Sequence, residues 1–200
     1  MPRQYTSLLD QLESEAYRNG LRAGSKKAMK WFRKRIKQIE HVDQGDLLKD
    51  KNRRTTMLTP GKMYMYRYSP KHKDTLPYYD IYPLIFPIAK YDDGHLGINV
   101  HYLPPKHRAV LLQRLMDFAT NKQWDETTKI MMSWDLLKKS SKFNLVVPCI
   151  KRYLKNHVRT KYLQIESYDW APAIFLPTAS FKKATRKEVW KDSMKMAKKR

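Results

Sequence analysis

The segment Met63-Tyr64-Met65-Tyr66-Arg67-Tyr68 places a tyrosine at every second position. Side chains alternate between the two faces of a β-strand, so this period predicts a strand with its tyrosines on one face. Two further strands are predicted downstream, over residues 80–88 and 95–103. The pair Asp93-Gly94 between them is typical of a tight hairpin turn. Together the three strands predict a small antiparallel sheet or barrel-like meander.

Helices and two more strands are predicted after this meander. Helices are expected to begin at the Pro104-Pro105 pair, near Asp125 and at Pro148, because apolar residues recur at helical spacing after each position. Strands are expected over residues 162–167 and 173–176. The predicted fold class is therefore α+β, with helices attached to the antiparallel meander and basic extensions at both termini.

The charge of the chain is far from balanced. Its 200 residues include 41 Lys and Arg against 19 Asp and Glu, which gives a formal net charge of +22. So large a charge repels itself, and a polyanionic partner is the simplest explanation, with a basic protein that lacks such a partner as the alternative. Hydrophobic residues make up 42% of the chain, which favours a folded core over a disordered basic tail.

Cysteine usage and hydropathy narrow the class of protein further. The single cysteine, Cys149, excludes an internal disulfide and lies in an apolar stretch, where a free thiol usually packs as a small core side chain. No apolar run approaches the ~18 residues of a membrane span, and the start of the chain lacks a signal-peptide pattern. The sequence therefore predicts a soluble protein that is made in a cytoplasm and has no membrane partner.

The excess positive charge is concentrated near the two ends of the chain. No acidic residue occurs between Arg18 and Ile39, where basic residues crowd a predicted helical segment. Like charges at this density predict weak order outside a core, which divides the chain into a basic helical N-terminal arm and linker (1–57), an α+β core (58–180) and a basic C-terminal tail (181–200). The candidate phosphate-binding residues are Arg18, Arg22, Lys26, Lys27, Lys30, Arg33, Lys34, Arg35, Lys37, Lys71, Lys73, Lys182, Lys183, Arg186, Lys187, Lys198, Lys199 and Arg200.

Motifs that carry catalysis are missing from the sequence. It has no phosphate-binding Gly-rich loop, no Gly-x-Ser-x-Gly turn and no His-Glu-x-x-His helix. His95 and His101 are predicted on one face of a strand, with Asp92 and Asp93 before them, and a metal or His/Asp nuclease site could be assembled from these residues. Half-buried polar histidines or phosphate contacts are the favoured alternative, because the other acids are scattered. The sequence predicts a non-enzymatic protein without catalytic residues, metal or cofactor.

The tyrosines of the predicted sheet allow two interpretations. Exposed strand aromatics can stack on unpaired bases, while Lys71 and Lys73 in the following loop contact phosphates. In the favoured alternative, the tyrosines pack the sheet against helices and their hydroxyls reach the rim. Phosphate contact by the basic residues hardly depends on this choice. No zinc-finger, leucine-zipper or RNP-type signature indicates sequence-specific recognition.

Three segments of the chain resemble a known group of proteins. They are residues 60–66 (PGKMYMY), 76–80 (LPYYD) and 97–105 (GINVHYLPP), with a looser match at 148–154. They are similar to small virion proteins of T-even-like contractile-tailed phages, nearest to the DNA end protector or head-completion group. The resemblance implies a protein that caps or holds the end of packaged linear DNA and shields it from host exonuclease. It carries over no functional residues.

Two functions follow from the charge and the resemblance together. The first is a non-enzymatic, sequence-independent DNA-binding virion protein in the head-neck region, with double-stranded DNA and portal, neck or tail proteins as partners. The alternative is a structural tail, neck or baseplate component whose basic arms bind neighbouring virion proteins. Either protein is expected in the virion after synthesis in the host bacterial cytoplasm.

Overall fold

The computed structural model of the chain describes residues 7–22 and 24–199. Its strands are β1 (Arg54–Thr55), β2 (Met63–Met65), β3 (Tyr79–Asp80), β4 (Leu84–Tyr91), β5 (Gly94–Asn99), β6 (Ile150–Leu154), β7 (Tyr162–Ile165) and β8 (Phe181–Lys182). Its α-helices are α1 (Leu8–Arg18), α2 (Lys26–Ile36), α3 (Gln44–Leu47), α4 (Pro105–Ala119), α5 (Glu126–Ser140), α6 (Trp170–Phe175) and α7 (Arg186–Lys198).

Six strands form one antiparallel sheet, in the order β1-β7-β2-β4-β5-β6, and β3 pairs with β8 in a separate two-stranded sheet. The β4–β5 hairpin lies beside β6. Gly94 starts β5 at a point where a Cβ atom would collide with the carbonyl oxygen of Tyr153 in β6, so glycine allows this close approach. The predicted α+β class and antiparallel sheet are confirmed. The sheet is open and not a closed barrel, with β1 and β6 at its edges.

The segment after Pro148 forms a strand and not the helix expected from the sequence. β6 pairs antiparallel with β5 along its whole length. The apolar residues of this segment fit helical spacing, but a short apolar run cannot distinguish the two periods, and pairing with β5 selects the strand. The expected strand over residues 173–176 is also wrong, because this segment belongs largely to α6. Pro172 lies in the first turn of α6, where proline is tolerated.

The expected helix starts at Pro105 and near Asp125 are confirmed. α4 begins at Pro105, and the Asp125 carboxylate caps α5 by accepting a hydrogen bond of 2.7 Å from a main-chain amide of its first turn. α7 begins with a reciprocal capping box between Thr185 and Glu188. Cys149 is a buried free thiol. Within the described residues, no helix is long and apolar enough to cross a membrane.

The main hydrophobic core joins one face of the sheet to the helices, and both terminal segments contribute to it. α1 adds Leu9 and Leu12, α2 adds Phe32 and Ile36, and α7 adds Val189. This packing differs from the expectation of terminal arms outside the core. Each large apolar side chain stabilises the fold by about 1.5–3 kcal/mol when fully buried, whereas a like-charge pair on a helix surface costs only about 0.2–0.5 kcal/mol. The division of the chain at residues 57/58 and 180/181 stays a prediction.

Candidate nucleic-acid interface

α2 separates its apolar and basic side chains onto different faces. Ser25 caps the helix by accepting a hydrogen bond of 3.1 Å from the amide of Ala28. Ala28, Phe32 and Ile36 are buried at helical spacing and dock the helix on the core. The predicted phosphate-binding residues on its remaining surface are exposed, and they are Lys26, Lys27, Lys30, Arg33 and Lys34.

A basic groove of about 680 Å³ lies between α2 and α4, and we call it the α2–α4 groove. Three of its cations come from α2 and two from α4, and none of the described residues that line it is acidic. Its cations are Lys26, Lys30, Arg33, Lys106 and Arg114. Its apolar floor is formed by Met29, Ala109, Val110 and Phe175. The groove therefore combines unneutralised positive charge with a flat apolar surface.

The two α4 cations were missed by the sequence analysis, which treated α4 only as a packing helix. Lys106 and Arg114 are eight positions apart, so they lie near the same face of a helix. Val110 lies midway between them and is 55% exposed, although it was expected in the buried stripe. The spacing of Lys106 and Arg114 indicates a basic face on α4. The sequence does not show that α2 lies nearby, so it does not show that this face lines a groove.

Among the described basic residues of α2, Arg35 alone forms an ion pair with a carboxylate. Its Nε and Nη2 atoms donate to the two carboxylate oxygens of Glu15 in α1, at 2.7 and 3.1 Å. This hydrogen bonding lowers the pKa of Glu15. Arg18, Arg22 and Lys37 flank the two helices at exposed positions. The predicted phosphate-binding residues of this segment therefore lie in three places, which are the α2–α4 groove, the contact between α1 and α2, and the open surface.

A second group of predicted residues surrounds the loop of residues 70–77. Lys71 and Lys73 are exposed in this loop, and Lys182 pairs with Tyr79 across the small sheet. Lys183 donates hydrogen bonds to two carbonyl oxygens of the loop, those of Asp74 and Leu76, at 2.8 and 3.1 Å. Lys183 therefore fastens the loop to β8.

The remaining predicted residues belong to the C-terminal helix. Val189, Ser193 and Ala197 of α7 are buried, and the basic residues lie on its exposed surface. The exposed predicted residues are Arg186, Lys187, Lys198 and Lys199. Arg200 lies outside the described residues.

A cleft lined by tyrosines and cations lies beside the loop of residues 70–77, and we call it the aromatic cleft. It encloses about 370 Å³. Its aromatic side chains are Tyr68, Tyr78, Tyr79, Tyr102 and Tyr153, its basic ones are Lys71, His72, Lys151 and Arg152, and its acidic one is Asp80. The Asp80 carboxylate is already bonded to Asn99 and His101. The helix that was wrongly predicted after Pro148 concealed this cleft, because β6 supplies part of its lining.

Two tyrosines of residues 63–68, Tyr64 and Tyr66, pack in the interior and do not stack on bases. Tyr64, Tyr66 and Tyr68 belong to a small hydrophobic cluster on the second face of the sheet, together with Tyr153. The hydroxyl of Tyr66 lies 2.9 Å from Nε2 of His95. Burial raises the pKa of Tyr66 well above its usual value. The base-stacking interpretation is therefore wrong for Tyr64 and Tyr66, which are fully buried.

The two histidines considered for catalysis lie in different surroundings. His95 faces the tyrosine cluster, whereas His101 follows β5 in a short 3-10 turn. Nδ1 of His101 lies 2.7 Å from a carboxylate oxygen of Asp80, and its Nε2 lies 3.0 Å from the hydroxyl of Thr178. Burial lowers the pKa of both histidines. The described residues contain no group of three or more metal-ligating side chains.

A third charged region is neutralised internally, and we call it the Arg53 cluster. The guanidinium of Arg53 contacts the carboxylates of Asp10, Asp50 and Asp169, with Nε 3.1 Å from Asp50. Asp169 is fully buried. With three carboxylates around one cation, this cluster is suited to hold α1, the segment before β1 and the start of α6 together, and not to bind phosphate.

Comparison with known proteins identifies a family that matches this chain. The family model described as phage T4 terminal DNA protecting protein matches residues 7–194, which is nearly the whole chain and includes both the α2–α4 groove and the aromatic cleft. No curated protein and no solved structure matches the chain. The resemblance to phage DNA end protectors is confirmed, and the chain belongs to the family of the phage T4 terminal DNA protecting protein.

Proposed function

We propose that this protein binds double-stranded DNA through its backbone phosphates, at or near the end of the packaged molecule, and protects that end without catalysing a reaction. The observation that carries the proposal is the α2–α4 groove, where five cations meet and no described lining residue is acidic. Phosphate contacts dominate DNA affinity and carry no sequence information. Such a groove therefore suits a protein that must hold any DNA end.

The dimensions of α2 suit a contact with several phosphates. Lys26 and Arg33 are seven residues apart, which corresponds to about 10 Å along a helix axis. Phosphates of one strand recur about every 3.4 Å along the duplex axis. Three successive phosphates fall within the reach of these flexible side chains. Lys34 and Lys27 extend the same basic surface beyond the groove.

A location in the head-neck region of the virion is part of the proposal, because a packaged DNA end that needs protection has to be reached there. The apolar floor of the groove supports a second candidate function, contact with a neighbouring portal, neck or tail protein. Val110 and Phe175 offer apolar surface that phosphates do not need, and protein interfaces combine apolar centres with charged rims. In this second function the cations bind acidic side chains of the neighbour.

DNA binding and protein binding give different results with linear and circular DNA. Equal concentrations of linear and nicked circular duplex of one sequence are mixed with the protein and then treated with an exonuclease. We expect preferential binding to the linear form and slower digestion from its ends. Equal weak binding to both forms, with no protection at low salt, would contradict the proposal and favour the structural role.

A further inference from the structure

Tyr78 and Tyr79 are the more exposed rings of the aromatic cleft, and hydroxyls of several of its tyrosines are already bonded within the protein. The Tyr78 hydroxyl donates to a carboxylate oxygen of Asp192 at 2.5 Å, and the Tyr68 hydroxyl accepts from the amide of Leu154 at 3.1 Å. The Tyr102 ring is fixed by an edge contact with Phe181, with 5.0 Å between centroids. The rings are therefore held in place before any ligand arrives, which reduces the entropy lost on binding.

Lys151 supplies a positive charge inside this cleft. Its ammonium group lies 4.2 Å from the centroid of the Tyr102 ring, and among the described residues no carboxylate forms an ion pair with it. Burial lowers the pKa of Lys151, and the more distant charge of Asp192 offsets this only in part. A partly desolvated ammonium without an ion pair is incompletely stabilised, and a ligand anion at this point would complete its environment.

The other cations of the cleft differ in whether they are already paired within the protein. Arg152 donates to the carboxylate of Asp93 and lies over the Tyr91 ring, so its charge is largely engaged outside the cleft. Lys71 is exposed at the rim, in the loop that Lys183 fastens. Lys151 within the cleft and Lys71 at its rim therefore form the available anion-binding pair.

The cleft thus selects a ligand with an aromatic ring next to an anion, within a volume of about 370 Å³. A nucleotide has both features, since every base has a π-face that can stack on a tyrosine and a phosphate that can meet a lysine. Bases inside a duplex are stacked on their neighbours, so only an unpaired or terminal base can enter such a cleft. We propose that the aromatic cleft binds the terminal nucleotide of a DNA strand, an inference that rests on the proposed end-binding function.

The test uses hairpin duplexes that each carry a single free end. The end is blunt, bears one unpaired nucleotide on its 3′ or 5′ side, or bears the same overhang with an abasic sugar. Affinities are measured by fluorescence anisotropy with the full-length chain. We expect the overhang with a base to bind about tenfold more tightly than its abasic counterpart, as stacking of one base predicts.

Three variants assign this difference to the cleft. Tyr79→Leu is expected to reduce the tenfold ratio to nearly one, because it removes a ring on which the base can stack. Lys151→Gln is expected to weaken the binding of both overhang duplexes, because the phosphate that it contacts is present in each. Lys155→Gln removes an equal charge from an exposed position just after β6 and is expected to leave both affinities nearly unchanged. Thermal unfolding establishes that each variant is folded, and Lys71→Gln, at an exposed loop position, replaces Lys151→Gln if that variant is not.

The outcomes separate this inference from the proposed function. A wild-type ratio near one, with preference for linear DNA intact, overturns the cleft assignment alone. A ratio that persists in Tyr79→Leu overturns it as well, and so does an unchanged affinity of both overhang duplexes in Lys151→Gln. Binding of a free mononucleotide as tight as that of the overhang duplex identifies a nucleotide site and contradicts the DNA-end assignment. Failure of the wild-type chain to bind any DNA overturns both proposals.

Discussion

Arg53 and Arg33 are the same residue type in opposite surroundings. The Arg53 side chain is 11% exposed and contacts the carboxylates of three aspartates. Arg33 is exposed in the α2–α4 groove, with its guanidinium carbon 5.4 Å from the centroid of the Phe175 ring. The chain has only 19 acidic residues, and it places three of them around one buried arginine. The comparison shows that acids neutralise the arginine of the interior, whereas the arginine of the groove is left available for a partner.

Removal of Arg53 should have the largest effect on stability. Arg53→Ala leaves three carboxylates without their common cation, and breaking a buried ion pair from one side costs about 3–5 kcal/mol. Urea unfolding measures this loss, with Lys51→Ala in the same short turn as the control. The salt dependence of DNA binding should be unchanged at temperatures where the variant is folded. A loss of less than about 1 kcal/mol, the range of a surface ion pair, would contradict the structural role of the cluster.

Removal of four basic charges of α2, three of them in the groove, should have the converse effect. The combined change of Lys26, Lys30, Arg33 and Lys34 to Gln removes four phosphate contacts. The slope of log K against log salt should become shallower by up to about 3.6, at 0.9 per contact. The free energy of unfolding should change little, because all four side chains are exposed.

A fourfold variant elsewhere controls for the loss of net charge. It replaces Lys49, Lys51, Lys139 and Lys142, which are exposed away from the groove, with Gln. Both variants lose four charges, so a difference between their slopes is due to position. Equal slopes would show that the protein binds DNA through its overall field and not through the groove.

The sequence predicted features that depend on neighbouring residues and missed features that depend on contacts between distant segments. The hairpin at Asp93-Gly94 and the helix start near Asp125 are local signals, and both were found. The basic face of α2 was also found, because it depends only on residues within one helix. The contribution of Lys106 and Arg114 was not, since their role depends on α2 and α4 both packing against α6, which brings residues distant in the chain to one groove.

The helix wrongly predicted after Pro148 can be traced to the sequence pattern of one short segment. Residues 150–154 carry an apolar pattern too short to distinguish a helix from a strand, and pairing with β5 decided the outcome. This mistake hid the aromatic cleft, because Lys151 enters it only from a strand. The expectation of terminal arms gave weight to like-charge repulsion and too little to buried residues such as Phe32.

His95 provides a pH test of the difference between core and groove. Burial, with a further effect of Arg152, lowers the pKa of His95 from 6.5 to about 4. The unfolded chain takes up a proton near pH 6.5, whereas the folded protein resists protonation down to about pH 4. Its contribution to stability is therefore complete above pH 6.5 and is lost as the pH falls toward 4. A shift of this size corresponds to at most about 3 kcal/mol.

Urea unfolding at several pH values measures this loss. His95→Gln should make the decline in stability between pH 7 and pH 4 less steep, although His101 contributes in the same direction. His72→Gln, at an exposed position, should leave the decline as it is. No histidine is among the described residues that line the groove, so the salt slope for DNA should be equal at pH 5 and pH 7. A decline in stability that is unchanged in His95→Gln would contradict this account.

The smallest effects are expected at Arg35, which lies on the basic helix α2 as Arg33 does but has a carboxylate partner as Arg53 does. Its side chain and that of Glu15 are each 35% exposed, so the ion pair is worth no more than about 1 kcal/mol. Arg35→Gln should therefore reduce the free energy of unfolding slightly and leave the salt slope nearly unchanged. Lys34→Gln, one position earlier, should leave stability unchanged and make the slope shallower by about 0.9. If Arg35→Gln changes the slope as much as Lys34→Gln does, the guanidinium exchanges Glu15 for phosphate when DNA binds, and a carboxylate partner in the free protein does not exclude a cation from the interface.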